Sequence, residues 1–129
     1  MHARCPFEVV SFEPAEWPEP PREGMRLGRA ELRKRFSGGD LEGSSVVQML
    51  SARAGQSAGT YLALEHVSGR LHGRSGTFVV QHGATAHADE RADTSWGAVV
   101  EGSGTGELAG LRGSCRVVHG LLELDYDLG

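Results

Sequence analysis

The chain has 129 residues, with 13 Lys plus Arg against 17 Asp plus Glu and a formal net charge of −4. That length is one domain with room for its own core. The acidic balance argues against nucleic-acid or anionic-membrane binding, which needs a basic face. No apolar run approaches the roughly 20 residues of a membrane-spanning helix, and Met1–Pro6 has no apolar leader, so the expected location is cytoplasmic.

Nineteen residues are Gly, and most fall between short runs of alternating apolar and polar side chains. Gly weakens a strand interior and marks turns, bulges and barrel corners, so the spacing predicts a small antiparallel barrel. In chain order, Cys5–Phe12 reads as the first strand. Residues 14–21 hold four prolines and Trp17, which predicts a loop or extended arm. Met25–Phe36 reads as a long strand: Ala30, Leu32, Lys34 and Phe36 share one face, and Arg29, Glu31, Arg33 and Arg35 the other. A helix is the rival over 29–36, since the residues are good helix formers, but the charges repeat every second residue.

Gly38-Gly39-Asp40 predicts a turn into Leu41–Arg53. Further strands follow at Ala58–Val67 and Arg74–His82, then a polar loop at 83–93. Thr94–Val100, Gly104–Leu111 and Ser114–Leu128 complete about eight strands at hairpin spacing, which suits a sandwich or closed barrel. Closure would also remove exposed strand edges. Cys5 and Cys115 lie near opposite ends of the series, and pairing of the first strand with the last would bring them near each other. In a cytosolic protein they are expected as buried thiols.

The chain resembles a bacterial family of unknown function with an allene oxide cyclase-like barrel. The residues that carry the resemblance are Phe36-Ser37-Gly38, Leu41-Glu42-Gly43, Tyr61-x-x-x-Glu65 and Gly69-x-Leu71-x-Gly73-Arg74-x-Gly76-x-Phe78. They continue through Gln81-His82-Gly83, Trp96, the Gly102–Gly110 run and Leu124-Asp125-Tyr126. The resemblance runs from about Phe12 onward and implies an all-β, closed antiparallel eight-stranded barrel, and no reaction; residues 1–129 are expected to form that single domain. Related barrels include cofactor-free cyclases and plant dirigent proteins, a likeness of fold alone. At family level it implies a homodimer or homotrimer.

Alternation places Lys34 with Leu32 and Phe36, Glu65 with Tyr61 and Ala63, and His82 with Phe78 and Val80. Polar groups on an interior face need partners. Glu65, His82 and Lys34 are therefore candidate catalytic residues at a polar end of the lumen, with Lys34–Glu65 as a structural pair the bland alternative. His82 could move a proton. Tyr61, Phe78, Trp96 and Tyr126 are candidate ligand contacts, or simply core. Glu107, within Gly104-Thr105-Gly106, reads as a turn carboxylate accepting backbone N–H groups.

Other motifs fail. Gly104-x-Gly106-x-x-Ala109 lacks the strand–turn–helix context of a dinucleotide site. His82, His87 and Asp89 match no metal spacing, and no cofactor motif is present. A hydrolase built on Glu107 or Asp125 lacks a partner base. The expected function is a barrel that binds a small, mostly apolar molecule in its lumen, and as an enzyme it would be a cofactor-free cyclase or isomerase. The alternative is a non-catalytic binding or assembly protein with a packed barrel, its Pro-rich arm covering a barrel mouth or swapping to a neighbour.

Overall fold

Period-two alternation decides almost every element of the computed structural model, which describes residues 1–89 and 91–129; Glu90, inside the expected 83–93 loop, lies outside the described residues. The strands are β1 (His2–Ala15), β2 (Arg26–Phe36), β3 (Leu41–Ala54), β4 (Ala58–Leu71), β5 (Arg74–Ala86), β6 (Thr94–Val99), β7 (Arg112–Val118) and β8 (Leu121–Asp127). Each pairs antiparallel with the next, and β8 pairs with β1, so eight strands form a ring. No helix among the described residues is long and apolar enough to cross a membrane.

The ring has two unlike ends. At the base, β8 pairs with β1 through His2–Pro6, and the apolar core gathers Phe36, Leu41, Leu71, Phe78, Leu122 and Leu124, each at most 1% exposed. At the mouth the wall is incomplete. The β7–β8 hairpin turns at mid-height, where Phe7 N–H donates to the Gly120 carbonyl. β1 then continues to Ala15 beside β2 alone, and β6 meets β7 only at Ala98↔Ser114. Pro14 sits in this stretch of β1, opposite Ala30, where its missing N–H costs no ladder bond on the open side.

Strands β4 and β5 run on to Leu71 and Ala86, so the expected turn at 69–73 shrinks and the first four residues of the expected 83–93 loop are strand, and two further elements differ in kind. Gly104–Leu111 is not a strand. It carries a 3-10 turn at Gly106–Leu108, and Leu108 and Leu111 bury themselves at the base at 0% and 1% exposure. They stand three positions apart, the spacing of a tight helical turn. Ser114–Leu128 is two strands, because His119-Gly120 turns back with φ of 53° and 76°, the positive pair that a two-residue hairpin requires.

The base plug explains one member of a row of glycines. Gly43, Gly69 and Gly76 lie opposite one another on β3, β4 and β5. A Cβ at Gly76 would collide with the Thr105 carbonyl and come within 3.3 Å of Leu108 Cβ. Ring closure does not join the two thiols. Cys5 lies opposite Leu122 and Cys115 opposite Leu124, so β8 intervenes and separates them by two strand spacings, roughly 10 Å, beyond disulfide reach. Both are free and buried.

Candidate functional site

Among the described residues four polar side chains are buried in the interior: Lys34, Ser45, Glu65 and His82. They come from β2, β3, β4 and β5, and the register brings them together. Lys34 is opposite Ser45, and Glu65 stands two residues from Val67, which is opposite Ser45. His82 is opposite Ala63, the next inward residue after Glu65.

Glu65, at 0% exposure, is the hub. Its Oε1 accepts from Lys34 Nζ at 3.1 Å and lies 2.8 Å from His82 Nε2; its Oε2 accepts from the Ser45 hydroxyl at 2.5 Å. His82 Nδ1 in turn meets the Tyr61 hydroxyl at 3.1 Å. Lys34 Nζ also sits 4.0 Å from the centre of the Phe7 ring, a favourable seat for a desolvated cation. No buried side-chain N or O atom among the described residues lacks a partner.

Burial pushes the Glu65 carboxyl up, but the His82 hydrogen bond, the Lys34 charge and the Ser45 hydroxyl together outweigh it and hold the group below its ordinary range. Glu65 is therefore a carboxylate, an acceptor only, so His82 Nε2 carries a proton and donates to it. In the neutral ring Nδ1 is then the acceptor, and the Tyr61 O–H donates to it. Burial, then the Glu65 charge, raises the Tyr61 phenol above its ordinary value, so it remains a donor. The chain Tyr61–His82–Glu65 can take a proton from a hydroxyl at the Tyr61 end, because Glu65 would stabilise the imidazolium that forms. That is the base-and-orienter logic of many hydrolytic triads.

The sequence candidates divide. Lys34, Glu65, His82 and Tyr61 form one network. Phe78 is fully buried in the core, and Tyr126 is at the base, its hydroxyl 2.5 Å from His72 Nδ1. Trp96 corrects the expectation of an inward contact: it is 45% exposed and lies outside the ring across Gly83. Val99 and Gly97 face inward opposite Val80 and His82, so residue 96 must point out. Glu107 accepts from the Ser75 N–H at 3.1 Å, the expected turn role. Ser45 escaped notice in the sequence, although its parity with Leu41 and Val47 placed it inside.

A recess of about 1380 Å3 lies at the mouth end, between the 16–25 arm and the β3–β4 turn, and touches none of the network. Its wall includes Arg26 and Arg53, which face each other across β2 and β3.

Residues 3–128 match the family described as "Protein of unknown function (DUF3224)". The chain belongs to that family. Among solved structures it is similar to a DUF3224 protein of unknown function from Shewanella oneidensis MR-1, solved by crystallography at 1.84 Å resolution. The two are 32% identical, with a TM-score of 0.85 over 100% of this chain and 98% of that one. No curated protein matches the chain.

Proposed function

We propose that the mouth half of the ring is the lumen of an allene oxide cyclase-like barrel and holds one small, mostly apolar molecule. The ligand's polar oxygen would meet Tyr61 and His82. The observation that carries this reading is a change in interior burial across the polar network. Toward the base the inward Phe36, Leu71 and Phe78 are sealed at no more than 1% exposure, and the inward Gly76 is closed off by Thr105 and Leu108. Toward the mouth Leu32, Met49 and Tyr61 share the inward face with the small residues Gly28, Ser51, Gly59, Ala84 and Ala86, and all of these are only partly buried. On the same face Val9 and Phe12, opposite Lys34 and Leu32, stay 49% and 56% exposed. An eight-stranded barrel is just wide enough for one small ligand, and an apolar wall with a few convergent polar groups is the usual form of such a site.

Arg26 and Arg53 at the rim have no acidic partner within ion-pair distance among the described residues, and like charges directly opposite repel. An acidic end group on the ligand would relieve that repulsion. If the molecule is turned over, the chemistry is proton transfer along Tyr61–His82–Glu65 in a water-poor space, as in a cofactor-free isomerase or cyclase.

The test is native mass spectrometry of protein purified from its own host, followed by organic extraction, with Ala84→Phe as the companion variant. A co-purifying apolar compound that Ala84→Phe excludes, with the melting transition kept, supports the lumen site. The second reading, a non-catalytic assembly protein, draws on the completeness of the network, in which every buried polar group is already satisfied. A protein empty of ligand that also fails to bind apolar fluorescent probes would favour it.

A further inference from the structure

The buried network spends almost all of its donors on itself. A hydroxyl or a neutral imidazole has a single proton to give. Ser45 gives its own to Glu65 Oε2, His82 gives Nε2–H to Oε1, and Tyr61 gives its O–H to His82 Nδ1. Lys34 differs. Its ammonium carries three N–H donors, and among the described residues only Glu65 Oε1, at 3.1 Å, accepts from it. A second side faces the Phe7 ring, 4.0 Å away. At least one N–H is left without a protein acceptor on a side chain that is 5% exposed, and a buried donor left open is costly.

Lys34 and Tyr61 therefore offer opposite things at the two ends of one chain of contacts. Lys34 has a spare donor and a positive charge. Tyr61 has given its proton to His82 and presents oxygen lone pairs, backed by His82 and Glu65. The lumen beside Lys34 is open on the β1 side, where the inward Val9 lies opposite it and is 49% exposed. A ligand held at both ends needs an acceptor oxygen for Lys34 and a removable proton for Tyr61. The Glu65 carboxylate and the His82 ring stand between the two, which suits groups several bonds apart rather than neighbouring atoms.

We propose that the ligand is an open-chain hydroxy-enone, a conjugated ketone or aldehyde with a hydroxyl farther along its carbon chain, and that the lumen closes it to a cyclic ether. This rests on the lumen reading above and assigns the hydroxyl to Tyr61 and the carbonyl oxygen to Lys34. The hydroxyl proton passes to Tyr61 as the Tyr61 proton passes to His82. The freed oxygen bonds to the carbon β to the carbonyl, the C=C π pair shifts toward the carbonyl, and the carbonyl oxygen becomes an enolate oxygen. The proton on His82 then returns through Tyr61 to the α carbon. No atom is gained or lost, so the balance calls for no oxidant or reductant. Each charge that appears meets an opposite charge already in place. The imidazolium lies 2.8 Å from Glu65, and the enolate oxygen rests on Lys34. Donors fixed before the charge develops, away from bulk water, stabilise it most.

The probe is an open-chain phenyl ketone with a conjugated double bond and a terminal hydroxyl placed to close a tetrahydropyran. Its saturated analogue, which cannot cyclise, reports binding by infrared spectroscopy. Loss of enone ultraviolet absorbance follows closure, and chiral chromatography reads the hand of the product. The expected result is closure faster than the protein-free rate, to one hand of the ether, with the carbonyl stretch of the bound analogue shifted to lower frequency. Lys34→Met removes that shift and slows closure at least ~100-fold. Tyr61→Phe keeps the shift and slows closure about 100-fold or more. A thermal melt checks that each variant folds, and the infrared shift in wild type carries the test even if Lys34→Met does not fold. An unshifted carbonyl in the bound analogue, a shift that survives Lys34→Met, or closure at the protein-free rate to a racemate overturns this inference and leaves the lumen reading standing. No uptake of the saturated ketone overturns both.

Discussion

Replacing Glu65 with Gln separates charge from shape at the centre of the ring. The amide oxygen can keep the place of Oε1 and accept from His82 and Lys34, while the NH2 takes the place of Oε2 and donates to the Ser45 hydroxyl, so the change removes the negative charge and little volume. Lys34, 5% exposed and 3.1 Å from Glu65, is then a buried cation without a counter-charge. Breaking a buried pair in this way costs about 3–5 kcal/mol. For a chain of this size each kcal/mol lowers the melting temperature by about 4 °C, so Glu65→Gln should melt roughly 12–20 °C lower. Total stability of such a domain is about 5–15 kcal/mol, so the variant can still fold at 25 °C. Lys34→Met in the same background removes the orphaned cation while keeping the length of the side chain. The double variant should recover a large part of the loss, with a coupling of about 1.5–3 kcal/mol. Urea unfolding followed by far-ultraviolet circular dichroism measures all four corners of the cycle. A loss below about 1 kcal/mol for Glu65→Gln, or additivity within about 0.5 kcal/mol, would refute the reading of Lys34–Glu65 as a coupled buried pair.

Three further outcomes are expected. The folded-state pKa of Glu65 is depressed from 4.5, so its contribution to stability is complete above that pH and is lost as pH falls through the folded value; a wild-type advantage in urea midpoint over Glu65→Gln that stays constant on acidification below pH 4.5 would contradict it. At the alkaline side, burial first and then the neighbouring carboxylates, Asp40 for Cys5 and Glu65 for Cys115, push both thiols from 9.0 to about 12. That stability is full below pH 9 and lost as pH rises toward 12, and near neutral pH a thiol reagent should label both cysteines only after denaturant is added. Gly76→Ala must displace the Thr105 carbonyl or the Leu108 plug, costing about 1–3 kcal/mol in a melt; an unchanged melting temperature would mean that the plug moves freely.

The sequence by itself determined which way most side chains face. In β2, β4 and β5 the inward set alternates strictly, so Lys34, Glu65, Tyr61 and His82 were legible as interior residues from parity with Leu32, Ala63 and Val80. It could not say that they share one level. That depends on the pairings of β2 with β3, β3 with β4 and β4 with β5, which fix the height of each side chain against its neighbours, and it is why Ser45 joined the network unannounced. Trp96 misled because the inward residues of β6 are Ser95, Gly97 and Val99. Two of these are small, so no apolar alternation countered the pull of a lone indole toward the core. The Gly104–Leu111 plug carried a local signal in the three-residue spacing of Leu108 and Leu111, but glycine spacing elsewhere marks strands and hid it. The turn at His119-Gly120 lay inside the apolar run from Val117 to Leu122, where only backbone geometry separates a hairpin from one long strand. The open mouth belongs wholly to tertiary structure. It follows from how far the short β7–β8 hairpin climbs beside β1, a long-range fact that no local pattern contains.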